Sequence, residues 1–319
     1  MTTYKEIRGT NIEAVASDPS NPVVGQVWYN TTTNVVKGFI VNPGSWAAGN
    51  NMNTAKEESA GAGTQTSALS FGGNPPRLAL TEQYNGTSWT EVNDLNTARS
   101  LLAGAGASNT AALAFGGNDP TAAATTDTEL WNGTNWTEVN NIPVAKERLA
   151  GCGTSTAALA FSGEKPLGRS RSAEKWNGTN WTEVNDMNTA RDFLAGAGTN
   201  TAALAFGGET PPRSALTELW NGTNWTEVND MGTARSALAG AGTNTSALAF
   251  GGDSSNEGVT ESWNGTNWTE LNDLNTGRNL LAGAGADNTS ALAFGGKSPV
   301  TAATELWNAG PTTVTFDVS

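Results

Sequence analysis

Apolar residues in this chain come in short bursts, each cut off within a few positions by glycine, asparagine or threonine. Residues 194–198 (LAGAG), 202–208 (AALAFGG), 217–220 (TELW) and 225–229 (WTEVN) predict four short strands. TELW reads as a strand with a two-residue alternation. The glycines of AGAG suit a place where backbones approach closely. Thr199-Asn-Thr201 and Asn221-Gly-Thr-Asn224 supply tight reversals, since Asn and Gly tolerate positive φ. No helical apolar spacing interrupts the series, so the expected class is all-β.

The four-strand unit repeats. Phe71, Phe115, Phe161, Phe206, Phe250 and Phe294 mark the second strand at steps of 44, 46, 45, 44 and 44 residues. Four antiparallel strands per roughly 40–50 residues is the signature of a propeller blade. First, second and third strands each occur six times, but the WTEV-type fourth strand occurs only five times, at Trp89, Trp136, Trp181, Trp225 and Trp268. Each of these tryptophans lies ten residues before a basic residue: Arg99, Lys146, Arg191, Arg235 and Arg278. Trp46 lies ten before Lys56 and so fills the sixth place. The sequence therefore predicts a six-bladed β-propeller closed by an N-terminal strand. The competing closure uses residues 313–318 as the outer strand.

A double glycine after the second strand, an aromatic on the third, a Trp on the fourth and a base after it resemble the kelch repeat, across about residues 44–308. Gly25–Phe39 (GQVWYNTTTNVVKGF) and the WNGTNWTEVND wording resemble virion structural proteins of marine bacteriophages. These resemblances imply an attachment arm at 1–22, a hairpin connector at 23–43, the kelch-like propeller at 44–308 and a C-terminal tail strand at 309–319. They further imply a tail fibre or surface appendage that binds other virion proteins through residues 1–43 and a host-surface glycan or protein through the propeller, with self-association on a symmetric particle. A capsid decoration protein, a propeller lectin and an intracellular interaction scaffold are the alternatives.

Composition narrows this. The 319 residues carry a net charge of −13 with 17 Lys and Arg and no basic cluster, which argues against nucleic acid. No apolar run is long enough for a membrane helix and no secretory signal is visible; residence in the virion, after assembly in the host cytoplasm, is what the phage resemblance implies. The chain has no histidine, which removes Ser-His-Asp and Cys-His catalysis and His-based metal sites. No cofactor or metal is expected, and no enzymatic activity. Cys152 fills a small-residue slot in the third AGAG segment.

The repeated Trp and basic residues read as structural. Each base has a third-strand acid for a partner, in the series Glu82, Glu129, Glu174, Glu218, Glu261 and Glu305. The outer-strand acids Glu91, Glu138, Glu183, Glu227 and Glu270 read as edge protection. Turns after the first and third strands are nearly identical in every blade, whereas loops after the second strand differ. Recognition tends to reside on individual loops of a rigid scaffold. The candidate binding residues are therefore Arg77, Asp119, Lys165, Arg169, Arg171, Arg213, Asp253 and Lys297.

Overall fold

The computed structural model describes residues 12–253 and 257–316. Among them are strands but no helix, hence none long and apolar enough to cross a membrane. Blade 1 is the sheet Ala60–Thr64, Ser67–Phe71, Thr81–Tyr84, Trp89–Val92, each strand antiparallel to the next. The pattern recurs from Ala103 (blade 2), Ala150 (blade 3), Ala195 (blade 4), Ala239 (blade 5) and Ala282 (blade 6). The innermost strands touch in a closed circle, with blade 6 against blade 1. The fold is a six-bladed β-propeller.

Blade 6 takes its first three strands from Ala282–Asp287, Ser290–Phe294 and Thr304–Phe316, and its fourth from Val35–Ala48. Trp46 stacks on Phe250 at 5.0 Å and donates its indole N–H to Thr260 Oγ1 at 2.9 Å, both in blade 5. Trp136 of blade 2 does the same to Phe71 and Thr81 of blade 1, at 5.0 and 3.0 Å. The N-terminal strand thus closes the ring. The alternative outer strand at 313–318 is not formed: residues 313–316 continue the third strand itself, and 317–318 lie outside the described residues.

Two sequence signals have clear physical causes here. The first glycine of AGAG sits where blades crowd the axis. A Cβ on Gly104 would stand 2.6 Å from the Phe71 ring and 2.8 Å from Gly61 O, both of the preceding blade. Gly116, after the second strand, has φ +64, and a Cβ there would meet Lys146 O at 2.7 Å. The two-residue alternation expected of TELW is corrected. Thr217 and Glu218 are both buried, because the third strand has a neighbouring blade on either face. Cys152 is buried in its alanine slot, its S–H toward Thr199 O, and desolvation pushes the thiol up to about 12.

One blade lacks a bond that the others make. Trp225 stacks on Phe161 at 5.1 Å, yet its buried Nε1 has no partner. The acceptor position, Thr81, Thr128, Thr217, Thr260 or Thr304 elsewhere, is Ala173 in blade 3. Ala173 faces Phe161 in the same register as Thr128 faces Phe115. Ala173→Thr should therefore stabilise the protein by about 1 kcal/mol, the usual net value of one buried hydrogen bond. Denaturant unfolding measures it, and a change of zero or below refutes the account.

The described contacts divide the chain into Ser45–Asn308, the propeller, and a second unit of Met1–Gly44 with Ala309–Ser319. In the second unit Glu13–Val15 runs parallel to Val27–Asn30, which pairs antiparallel with residues 35–38. Glu13–Val15, within the expected arm, thus pair with a strand of the hairpin, while residues 1–11 lie outside the described residues. Asp18 adds side-chain bonds to the same hairpin. It accepts bonds from Trp28 Nε1 at 3.0 Å, Asn30 Nδ2 at 2.7 Å and Lys37 Nζ at 2.7 Å. These bonds, Lys37 first, hold its carboxyl down to about 2.

Candidate functional site: the individual face and its axial mouth

The repeated charges are consumed inside the blades. Arg99 is fully buried and donates to Gly116 O and Asp127 O, both at 2.9 Å, and to Glu129 Oε1 at 2.8 Å. Glu129 Oε2 in turn accepts from the backbone and side chain of Asn96, at 2.7 and 2.8 Å. Equivalent ion pairs join Lys146 to Glu174 (2.5 Å), Arg191 to Glu218 (3.0 Å), Arg235 to Glu261 (3.3 Å) and Arg278 to Glu305 (2.6 Å). Each base comes from the segment leading into a blade and each acid from that blade's third strand, so the pair fixes how the chain enters the sheet.

Lys56 is the least well served. Its ammonium stands 4.0 Å from Glu82 and 3.4 Å from Leu80 O. Burial pulls it from 10.5 to about 8, with Glu82 opposing. Between about pH 8 and 10.5 the unfolded chain then binds more protons than the folded one, so this group makes stability rise with pH across that window. Lys56→Arg, which does not titrate there, should lack the rise. Parallel unfolding curves for the two proteins from pH 7.5 to 10.5 would refute this.

The loops after the second strands also bind the next blade, either its own loop or its lead-in segment. Arg77 Nε donates to Asn118 Oδ1 at 2.8 Å, Arg169 Nε to Asp192 Oδ1 at 2.7 Å, and Arg213 Nη2 to Asp253 Oδ1 at 2.8 Å. Lys297 lies 3.6 Å from Glu57. Each contact crosses from one blade to the next. Asp119 is turned inward on its own loop, accepting from Thr121 and Ala123 N–H groups. Arg171 is exposed, 3.8 Å from Asp186, and Lys165 lies on a small hairpin with Glu164 and Gly168–Arg169. Residues 254–256 of the fifth loop lie outside the described residues.

What these loops surround was not foreseen from sequence. Two residues before each AGAG segment stand Glu58, Leu101, Arg148, Phe193, Ala237 and Leu280, all with φ between 52 and 58°. Their backbones form a cyclic ladder. Leu101 N donates to Glu58 O, Arg148 to Leu101, Phe193 to Arg148, Ala237 to Phe193, Leu280 to Ala237, and Glu58 back to Leu280, each at 2.9 or 3.0 Å. The left-handed backbone turns both peptide groups along the ring, so every polar group of the ladder is satisfied by a neighbouring blade. The six side chains, all half-buried, rim an axial cavity of about 90 Å³. Below lies a tier of Leu102, Leu149, Leu194, Leu238, Leu281 and Ser59.

Neither the protein-family models nor the curated proteins include a match to this chain.

The two ends of the axis differ in kind. A second cavity on the axis, about 280 Å³, is walled by small residues of the first strands, glycine and alanine in nearly every blade, with Cys152 in one alanine slot and threonine in three blades. The rim of the mouth carries an acid, a base, an aromatic ring and three aliphatic side chains. Arg148 is committed there: it pairs with Glu164, approaches Glu147 at 3.5 Å and lies over the Phe193 ring at 4.8 Å. Burial raises the Glu58 carboxyl above its ordinary value, against the pull of the Ser100 hydroxyl. A signal for this rim exists in the sequence: it is the second residue after the repeated base, a position that ranges over acid, base, aromatic and aliphatic while the residue after it is leucine in five blades of six. Only the ring of hydrogen bonds shows that those six positions converge.

Proposed function

We propose that this protein is a non-enzymatic virion structural and adhesion protein, whose propeller recognises a host-surface component or a partner protein through one face. The observation that carries the recognition reading is the segregation of individuality. Repeated polar groups are paired within the blades, while side chains that differ from blade to blade gather around one axial mouth. A surface that is different in all six directions suits one asymmetric partner rather than six equal ligands. The kelch-like repeat and the phage-like hairpin at Gly25–Phe39 supply the virion part of the reading, with the unit containing residues 12–44 as the anchor.

A lectin with one sugar site per blade is less well supported. Sugar platforms need exposed aromatic faces, and Trp46, Trp89, Trp136, Trp181 and Trp225 are all buried between blades. A tail fibre and a capsid decoration protein differ in copy number. Quantitative mass spectrometry of purified particles tests the reading: the chain should be present, at few copies for a tail fibre and many for a decoration protein. Absence from intact particles overturns it.

A further inference from the structure

The axial mouth breaks its own pattern in one blade. Five blades place leucine directly before the first strand, and blade 1 places Ser59 there. Ser59 is 8% exposed, lines the mouth cavity, and its hydroxyl has no hydrogen-bond partner. An orphaned buried hydroxyl is costly where a leucine would pack, so it calls for a compensating role. Beside it on the rim stands Glu58, at a position that is aliphatic in blades 2, 5 and 6. Oε2 of Glu57, the residue before it, is buried and accepts no hydrogen bond, and the Lys297 ammonium stays 3.6 Å away.

Glu58 and Ser59 form one wall of the cup; Glu57 stands behind them rather than in its lining, and the remaining lining is leucines, Ala237, Phe193 and Arg148. The charged groups acting on Glu58 are Glu57, Lys297 and Arg77. Arg148, elsewhere on the rim, is occupied by Glu164 and Glu147. The cavity, about 90 Å³, is well below the roughly 300 Å³ of a small-molecule site and suits one side chain.

We propose that the mouth receives a single primary alkylammonium group, the side chain of a lysine on a partner protein. Its methylenes would lie against the leucine tier, as long basic side chains do on apolar surfaces. Its ammonium would donate to the Glu58 carboxylate and Ser59 Oγ, pairing the orphaned hydroxyl and a half-buried charge together. This rests on the recognition reading above and adds the chemistry recognised.

The test is a titration of the full-length chain, ¹³C-labelled at leucine methyls, with n-butylammonium and separately with 1-butanol, which has the same stem without the charge. Saturable shifts are expected at Leu102, Leu149 and Leu281 with the ammonium, and binding roughly tenfold or more weaker with the alcohol. Ser59→Leu completes the leucine tier; combined with Glu58→Leu, which removes the rim charge, it should raise the melting temperature and abolish the shifts. Glu58→Gln alone, a milder change, should weaken them roughly tenfold. Equal binding of the alcohol, no saturable shift with the ammonium, or shifts undiminished in the folded variants would overturn the proposal. The same proteins are then assayed for binding to host cells or particles. A silent titration with surface binding retained removes only the ammonium assignment, whereas loss of surface binding by the parent chain removes the recognition reading itself.

Discussion

Trp46→Ala should cost about 3–5 kcal/mol of stability, as much as Trp136→Ala, although Trp46 lies near one end of the chain and Trp136 in its middle. The two rings occupy equivalent sites. Each is 5% exposed and each stacks at 5.0 Å on a phenylalanine of the preceding blade. Each also donates its indole N–H to a buried threonine there. Trp46 further touches Trp307 at 5.4 Å on the third strand of its own blade, and Asn275 Nδ2 donates to its carbonyl at 3.1 Å. A terminal strand that merely decorated the ring would show a small loss, as fraying ends do. A strand that closes it removes the whole stacking layer between blades 5 and 6 and leaves the Thr304 strand open on one side. Chemical denaturation of both variants decides the matter. A cost for Trp46→Ala below about half that of Trp136→Ala would show that the ring is closed without it.

Removing one member of a buried base–acid pair should be nearly as damaging. Glu218→Ala leaves the Arg191 guanidinium buried with only the Gly207 and Leu216 carbonyls, at 2.8 and 2.6 Å, as partners. It also strips the acceptor from the Asn188 backbone and side-chain amides, at 2.7 and 3.0 Å. Breaking such a pair on one side costs about 3–5 kcal/mol, mostly the penalty of an uncompensated buried charge. Adding Arg191→Met removes that charge, so the double variant should lose less than the two single variants summed, by about 1–3 kcal/mol. Strict additivity would mean that the two side chains are not coupled and that the pair does not fix the lead-in to blade 4.

The two variants probe different layers of one design. Tryptophans fasten each blade to the one before it, and the base–acid pairs fasten each lead-in segment to the blade it enters. Since both sets repeat around the ring, neither distinguishes one direction in space from another. Directionality resides in the rim residues Glu58 to Leu280 and the loops outside them, where no repeat constrains the side chain. That separation is why a scaffold this uniform can still present an individual surface.

Much of the architecture was legible without coordinates. The period in phenylalanine, the count of four bursts per unit and the constant spacing from Trp46 to Lys56 determine a ring of six blades and which end of the chain completes it. Periodicity is local information, and a repeated unit that cannot bury its own faces must stack on copies of itself. Three things were decided only in three dimensions. Arg77, Arg169 and Arg213 looked free because their partners, Asn118, Asp192 and Asp253, are 41, 23 and 40 residues away in the chain. TELW looked half-exposed because a single strand does not reveal that both its faces meet other blades. The six rim residues looked like unremarkable variation, since nothing in one period shows that a position lies on the axis. Closure of the ring brings those six together, and it is closure, a property of the whole chain, that turns six unrelated side chains into one site.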